Sequence, residues 1–267
     1  MAIWPFIIAS LGLAGAGLAA RYTFWRPNQS GVPAFMYHYI TDELEGTKLK
    51  KLRVSPSTFA WQMDYLKSKG YHSIGLREYY LHLTAGQNLP ARPFMITFDD
   101  GARDCLTQAR DVLESRGFTA AVFVVTDLVG QTNAWDRDKN EPLVSLLNWE
   151  ELKELIEAGW EVGSHTRTHM DLTTCTNKVL AEELAGSRDA LGEKLGVDVL
   201  ALAYPYGHVN EAVKEAALKA GYRLAWTIQA GKNEVSDDPL ELKRIIIKRK
   251  DTRLDFALKL KKGKSTL

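Results

Sequence analysis

The sequence predicts an α/β fold in which a parallel sheet is covered by helices. Short, continuously apolar runs recur along the chain, amphipathic segments with start and stop signals separate them, and no internal repeat or low-complexity linker interrupts the alternation. A run that is apolar at every position, rather than at every second one, belongs to a strand buried on both faces. Such runs are "VPAFMYH" (32–38), "PFMITF" (93–98), "TAAVFVV" (119–125), "WEVGS" (160–164), "VLALAY" (199–204), "RLAWTI" (223–228) and "RIII" (244–247). Seven or so strands fit both a closed barrel and an open sheet. Either architecture gathers functional residues at the C-terminal ends of its strands.

The helices announce themselves by their ends. Residues 55–70 open on Ser and Thr, place Phe59, Met63 and Leu66 at helical spacing, and stop at Gly70. Residues 103–117 repeat that pattern. "NWEELKELIEAG" sets Asn148 as cap, Glu151 three residues on and Gly159 as terminator, the signature of a capping box followed by a left-handed stop. Two more helices are expected near 178–195 and 211–220.

Composition narrows the function. The 34 basic and 33 acidic side chains leave a net charge of +1, so no strong field points to nucleic acid. The two cysteines, Cys105 and Cys175, make no disulfide framework and are expected to be unpaired. The basic ending "KLKKGKSTL" is expected to be a solvated, frayed tail. Residues 2–20 carry no charge and are just long enough for one transmembrane helix, followed by Arg21 and Arg26. A cleaved signal peptide competes, because "GLAA" offers small residues, but no Lys or Arg precedes the apolar stretch. The expected organisation is therefore a membrane anchor or signal segment over 1–26 and a catalytic domain over 27–267. The domain is expected on the extracytoplasmic side, against the weak cytoplasmic vote of the two arginines.

Three polar elements follow predicted strands. In "MITFDDGARD" (95–104) an apolar run ends in Asp99, Asp100 and Gly101, which alone reads as a tight turn. "SHTRTHMDL" (164–172) places His165 and His169 four apart among Ser and Thr, a spacing that suits a divalent metal. One carboxylate and two imidazoles from different strand ends, with a fourth position open, make the donor set of a catalytic zinc. The second carboxylate is then free to act as base. In "AYPYG" (203–207), Pro205 and Gly207 shape a turn whose Tyr206 N–H can face a developing oxyanion.

In this order the three elements resemble those of the polysaccharide deacetylase family, the NodB-homology domain of carbohydrate esterase family 4. "TFDDG", "SHTRTH" and "AYPYG" are similar to its first three motifs. The flanks "MYHYI", "GYRLAWTIQAGKN" and "LKRII" look like the branch of the poly-N-acetylglucosamine deacetylases. The resemblance implies an incomplete or distorted (β/α) barrel with parallel strands, behind one N-terminal transmembrane helix. It implies metal-dependent removal of N-acetyl groups from an N-acetylated glycan. It makes Asp99 the general base, Asp100, His165 and His169 the metal ligands, and the Tyr206 N–H the oxyanion donor. Zinc suits two His and one Asp, and cobalt, nickel or manganese fit the same donors.

Two departures stand out. Many members carry Arg two residues before the Pro of the third motif, where it orients the base. This chain has Ala203 there, so support for the base must come from elsewhere. The late leucine-x-histidine motif that supplies the general acid is also missing, and His38 in "MYHYI" is the candidate to replace it or to bind near the metal. Trp135, in the loop 130–149, is available to stack on a sugar ring. Two alternatives remain open: a deacylase of a lipid-linked or small N-acyl sugar, and a glycan-binding module that has lost turnover.

Overall fold

The computed structural model describes residues 26–139 and 141–266. The expected transmembrane segment lies outside these residues. Among the described residues no helix is long and apolar enough to cross a membrane.

Among the described residues ten strands run Ala34–Tyr37 (β1), Tyr39–Ile40 (β2), Arg53–Val54 (β3), His72–Ser73 (β4), Pro93–Phe98 (β5), Ala121–Val124 (β6), Glu161–Ser164 (β7), Ala201–Ala203 (β8), Leu224–Ala230 (β9) and Leu242–Ile246 (β10). Every pairing between them is parallel. The main sheet runs β1-β10-β9-β8-β7-β6-β5-β4, with β4 flanking the start of β5, and β1 also bonds to β5, aligning Phe35 with both Ile96 and Ile245. Seven parallel strands thus close on themselves. The barrel is closed, and it has one strand fewer than the eight of a (β/α)8 barrel.

The continuous apolar runs resolve into two alternating sets. Phe94, Ile96 and Phe98 of β5, Val122 and Val124 of β6 and Leu202 of β8 join one apolar cluster, beneath the helices. Their neighbours Met95, Ala121, Phe123, Ala201 and Ala203 join another, with Ala34, Leu224, Trp226 and Leu242. Side chains alternate along a strand, so the second set is the barrel interior. Small alanines leave room there for Phe123 and Trp226, whose rings meet at 5.6 Å. Gly163 is required by that packing, because a Cβ would lie 2.4 Å from the Phe123 ring. Val32 and the first turns of helix Leu76–Ala85, through Leu76 and Tyr79, plug the N-terminal end.

The covering helices include Pro56–Ser68, Trp149–Glu157, Asn177–Leu195 and Glu211–Ala220. Asn148 and Glu151 form the expected capping box, and Gly159 follows with φ 83°. The segment 103–117 is less regular than its pattern: a π turn, Cys105–Ala109, precedes a short α-helix, Arg110–Glu114. Both cysteines are free.

Two α-helices among the described residues were not expected from the sequence. Helix Leu76–Ala85 starts on Gly75 without a side-chain cap, so it lacked the usual start signal. The basic ending is not a frayed tail. Helix Arg253–Lys262 has its own capping box, Thr252 with Asp255, and buries Phe256, Leu258, Lys259 and Leu260. The Phe256 ring stacks on Phe35 at 5.3 Å, and the Lys259 ammonium donates to the Ile246 carbonyl at 2.7 Å and pairs with Asp251. Hydrogen bonding of ammonium groups while their stems pack explains how so basic a segment covers the barrel seam.

Candidate active site

Alternation places Asp99 inside the barrel, two steps beyond Thr97 and four beyond Met95. Asp100 should then face the outer layer. It does not, because Asp100 takes the left-handed conformation, φ 72°, and Gly101 follows at φ 71°. That turn lets two adjacent carboxylates serve one cleft. The conformation costs a non-glycine residue about 1 kcal/mol or more.

The second ligand loop is built the same way. His165 leaves β7 with its N–H bonded to the Val124 carbonyl, and Thr166 and His169 then take φ 68° and 64°. Glu183, buried on helix Asn177–Leu195, holds the loop. Its carboxylate accepts from the N–H groups of Arg167 and Thr168 and from the Thr168 hydroxyl, at 2.9, 3.0 and 2.7 Å. The Thr166 hydroxyl accepts from the His169 N–H. Tyr206, in the third element, also lies in the left-handed region, φ 59°. Of the five described non-glycine residues with positive φ, only Arg92 lies outside these three turns. Backbone strain is concentrated where the functional side chains are aimed.

These turns bring Asp100, His165 and His169 together. One ligating atom from each lies within 4.8 Å of the others, and both imidazole Nε2 atoms stand 3.5 Å from Asp100 Oδ1. All three residues are buried. The donor chemistry and the convergence fit a divalent metal. His165 Nδ1 bonds the Ala203 carbonyl at 2.7 Å, which leaves Nε2 for the ligand position. His169 has no such partner, and its buried Nδ1 is unbonded. Its ring is held by neighbours instead: Trp135 stacks on it at 4.6 Å, and His165 and Tyr206 meet it edge-on at 4.8 Å. The expected sugar platform thus has one face on a metal-ligand candidate. The Tyr39 hydroxyl donates to Asp100 Oδ2 at 3.2 Å.

Asp99 stands apart from that cluster, bonded to Arg244. The guanidinium Nη1 lies 2.6 Å from Asp99 Oδ1, and Nε donates to the Thr227 carbonyl at 2.9 Å. Arg244 is fully buried. It takes the place of the arginine missing at position 203, where Ala203 lies beside Trp226 in the barrel interior. Arg244 extends from β10 and Asp99 follows β5, and β1 separates the two strands. Nothing in "LKRII" marks that arginine as special, since 145 positions separate it from its partner. Tyr39, Glu183 and Arg244 are the residues that sequence reasoning did not single out.

The electrostatics separate the carboxylates' surroundings. Burial alone would raise the Asp99 carboxyl, but Arg244, with His165 and His38, outweighs it and holds the group below the usual range. Burial opposes ionisation of Asp100 too, and the hydrogen bonds from both imidazoles pull it well below. Burial lowers His38 and His169, while for His165 the Asp100 and Asp99 carboxylates overcome burial and raise it. His38, at the end of β1, lines the same cleft of about 730 Å³ as Asp99, Asp100, Trp135, His165, His169 and Tyr206.

The comparisons agree with this arrangement. Residues 86–225 match the family described as polysaccharide deacetylase. A Bacillus cereus polysaccharide deacetylase of known structure is 33% identical, with a TM-score of 0.72 over 87% of this chain and 69% of its own. A Staphylococcus epidermidis poly-β-1,6-N-acetyl-D-glucosamine N-deacetylase is 26% identical over 76% of this chain and 71% of its own length. A Bacillus subtilis relative, 28% identical over 75% of this chain, is spanned over 65% of its length, so the chain covers just under two thirds of it. With a closed barrel of seven parallel strands, the three motif turns at one mouth and these matches together, the chain belongs to the polysaccharide deacetylase family.

Proposed function

We propose that the protein is a divalent-metal-dependent hydrolase that removes N-acetyl groups from an N-acetylated glycan. The observation that carries this reading is the buried convergence of Asp100, His165 and His169 beside a separate, arginine-bound Asp99. The name of the staphylococcal relative supports N-acetylglucosamine polymers as the substrate class.

A cation held by Asp100, His165 and His169, zinc before cobalt, nickel or manganese, would supply Lewis acidity to the amide carbonyl and to the attacking water. Asp99 accepts the proton from that water as its oxygen bonds to the carbonyl carbon. Arg244 keeps Asp99 ionised and pointed into the cleft. The Tyr206 N–H donates to the oxyanion that develops. His38 donates a proton to the sugar nitrogen as the carbon–nitrogen bond breaks, so that acetate and an amino sugar leave. Trp135, packed on His169, walls the cleft on one side.

The test is acetate release from β-1,6-linked N-acetylglucosamine oligomers. Chelation is expected to abolish release and added metal to restore it; full activity after exhaustive chelation would sink the proposal. For His38→Gln, turnover of the sugar amide is expected to fall by about 10²-fold or more, while an activated aryl acetate, whose leaving group needs no proton, loses far less. Equal losses on both would remove His38 from the acid's role. The same proposal makes residues 27–267 the catalytic domain behind an anchor at 1–26, supported by the uncharged stretch 2–20. Full-length protein is then expected in the membrane fraction after an alkaline wash, with the domain on the extracytoplasmic side.

A further inference from the structure

Beside the catalytic cleft lies a second one, of about 1040 Å³. Residues adjacent in sequence line the two in turn: Tyr39 then Ile40, Leu52 then Arg53, Glu141 then Pro142. The clefts therefore share a wall formed by β2, β3 and the segment near residue 141.

Two groups lining the second cleft each hold a buried polar atom without a partner. Arg53 is only 5% exposed, yet its buried Nε donates to nothing. Among the described residues no acceptor takes a hydrogen bond from its side chain, and no carboxylate lies within 4 Å. Its guanidinium rests on the Tyr39 ring, 4.9 Å from the centroid. A buried arginine ordinarily carries an ion pair or a full set of acceptors, because a charge taken from water without them is costly. Asp104 is the second group. Its Oδ1 is buried and unbonded, and burial pushes the carboxyl up to about 7 although the Ile40 backbone and the nearby Arg53 charge both pull it down. A fixed donor and an acceptor thus line one cleft without satisfying each other.

The surroundings choose the ligand. Asp42, Glu43 and Glu45 also line the cleft, and its other arginine, Arg103, is already bound to Glu151. An anion would meet more carboxylates than free cations. Leu44, Pro142 and Leu143 supply apolar surface, with Leu143 47% exposed. A neutral ring with hydroxyl or amide groups on its edge and C–H groups on its face satisfies both kinds of wall.

We propose that Arg53, Asp104 and Leu143 form a second carbohydrate-binding site, which takes a sugar unit next to the one in the catalytic cleft. This rests on the deacetylase reading for the source of the sugar. The shared wall is also the wall of the metal cluster, since Tyr39 carries Arg53 on its ring and bonds Asp100 through its hydroxyl.

The test uses zinc-loaded full-length protein and β-1,6-linked N-acetylglucosamine oligomers of one to six units. Acetate release gives kcat and KM at each length, and calorimetry gives binding of the same oligomers. Wild type is expected to favour long oligomers through KM. In Asp104→Ala that preference is expected to shrink about tenfold, by a rise in KM for the long oligomers rather than a fall in kcat. Leu143→Asp, at an exposed position that folding tolerates, is expected to do the same. A wild-type KM independent of length, as for a cleft filled only by water, would overturn the proposal. So would an undiminished length preference in Leu143→Asp. Should wild type release no acetate at any length, the deacetylase reading fails by itself. Calorimetry then decides the site alone: binding of hexamer weakened by Leu143→Asp upholds it, and unchanged or absent binding overturns it.

Discussion

The two ends of the barrel are made by the same strands and are built on opposite terms. At the N-terminal end the inward residues are Ala34, Met95, Ala121, Leu224 and Leu242, closed over by Val32, Leu76 and Tyr79. At the C-terminal end they give way to Asp99, Arg244 and His38, with Asp100, His165 and His169 delivered by turns in which non-glycine residues take positive φ. The lower end is almost wholly apolar, its exceptions being the buried, unbonded Tyr79 hydroxyl and the positive φ of Arg92 just before β5. The upper end violates several packing rules, with buried charges, strained turns and a buried imidazole nitrogen without a partner. The comparison teaches that one end supplies the stability that the other spends on aiming its side chains.

Substitutions at the two ends should therefore report in different measurements. The largest effect is expected at the mouth. Asp99→Asn should lower kcat about 10³-fold while elemental analysis still finds one metal per chain, because Asp99 is not among the converging ligand atoms. Loss of the metal together with activity would merge the two roles that the geometry separates. At the base, Leu224→Ala should cost about 2–5 kcal/mol in urea unfolding through the cavity it leaves, with kcat of the folded protein close to wild type. A large kcat loss there would mean that the two ends are not independent.

The smallest and most specific effect concerns pH. Arg244→Gln removes the cation that holds the Asp99 carboxyl low, leaving burial to push it upward. A base whose pKa rises is protonated at higher pH, so activity should begin to fall at a higher pH as the solution is acidified. In wild type the acid limb should lie below the usual carboxylate range. At neutral pH the loss should be about tenfold, smaller than for Asp99→Asn. An acid limb that does not move would show that Arg244 only packs.

Much of this was legible in the sequence wherever the signal was local. Runs apolar at every position gave away strands buried on both sides, and Asn148 with Glu151 marked a helix start that the structure reproduces. Asp99, Asp100, His165, His169 and Tyr206 were readable because each follows a strand within a few residues, and strand ends of one kind meet at one mouth. His38 was readable for the same reason. Local signals failed where none existed, at the uncapped helix Leu76–Ala85, and misled at the C-terminus, where lysine content concealed a helix that buries Phe256 and Leu260.

What the chain determines by itself, then, is its period and its punctuation: which runs are strands, where helices begin, and which polar residues sit at strand ends. Those follow from side-chain alternation and backbone preferences that act over a few residues. Only the closed barrel decided the rest. It gave Asp99 an arginine from position 244, set Trp135 against His169, propped the His165 loop on Glu183, and laid Arg53 on the far wall of Tyr39. Such partners are set by strand order and register, and strand order is a property of the packed sheet rather than of any segment in it.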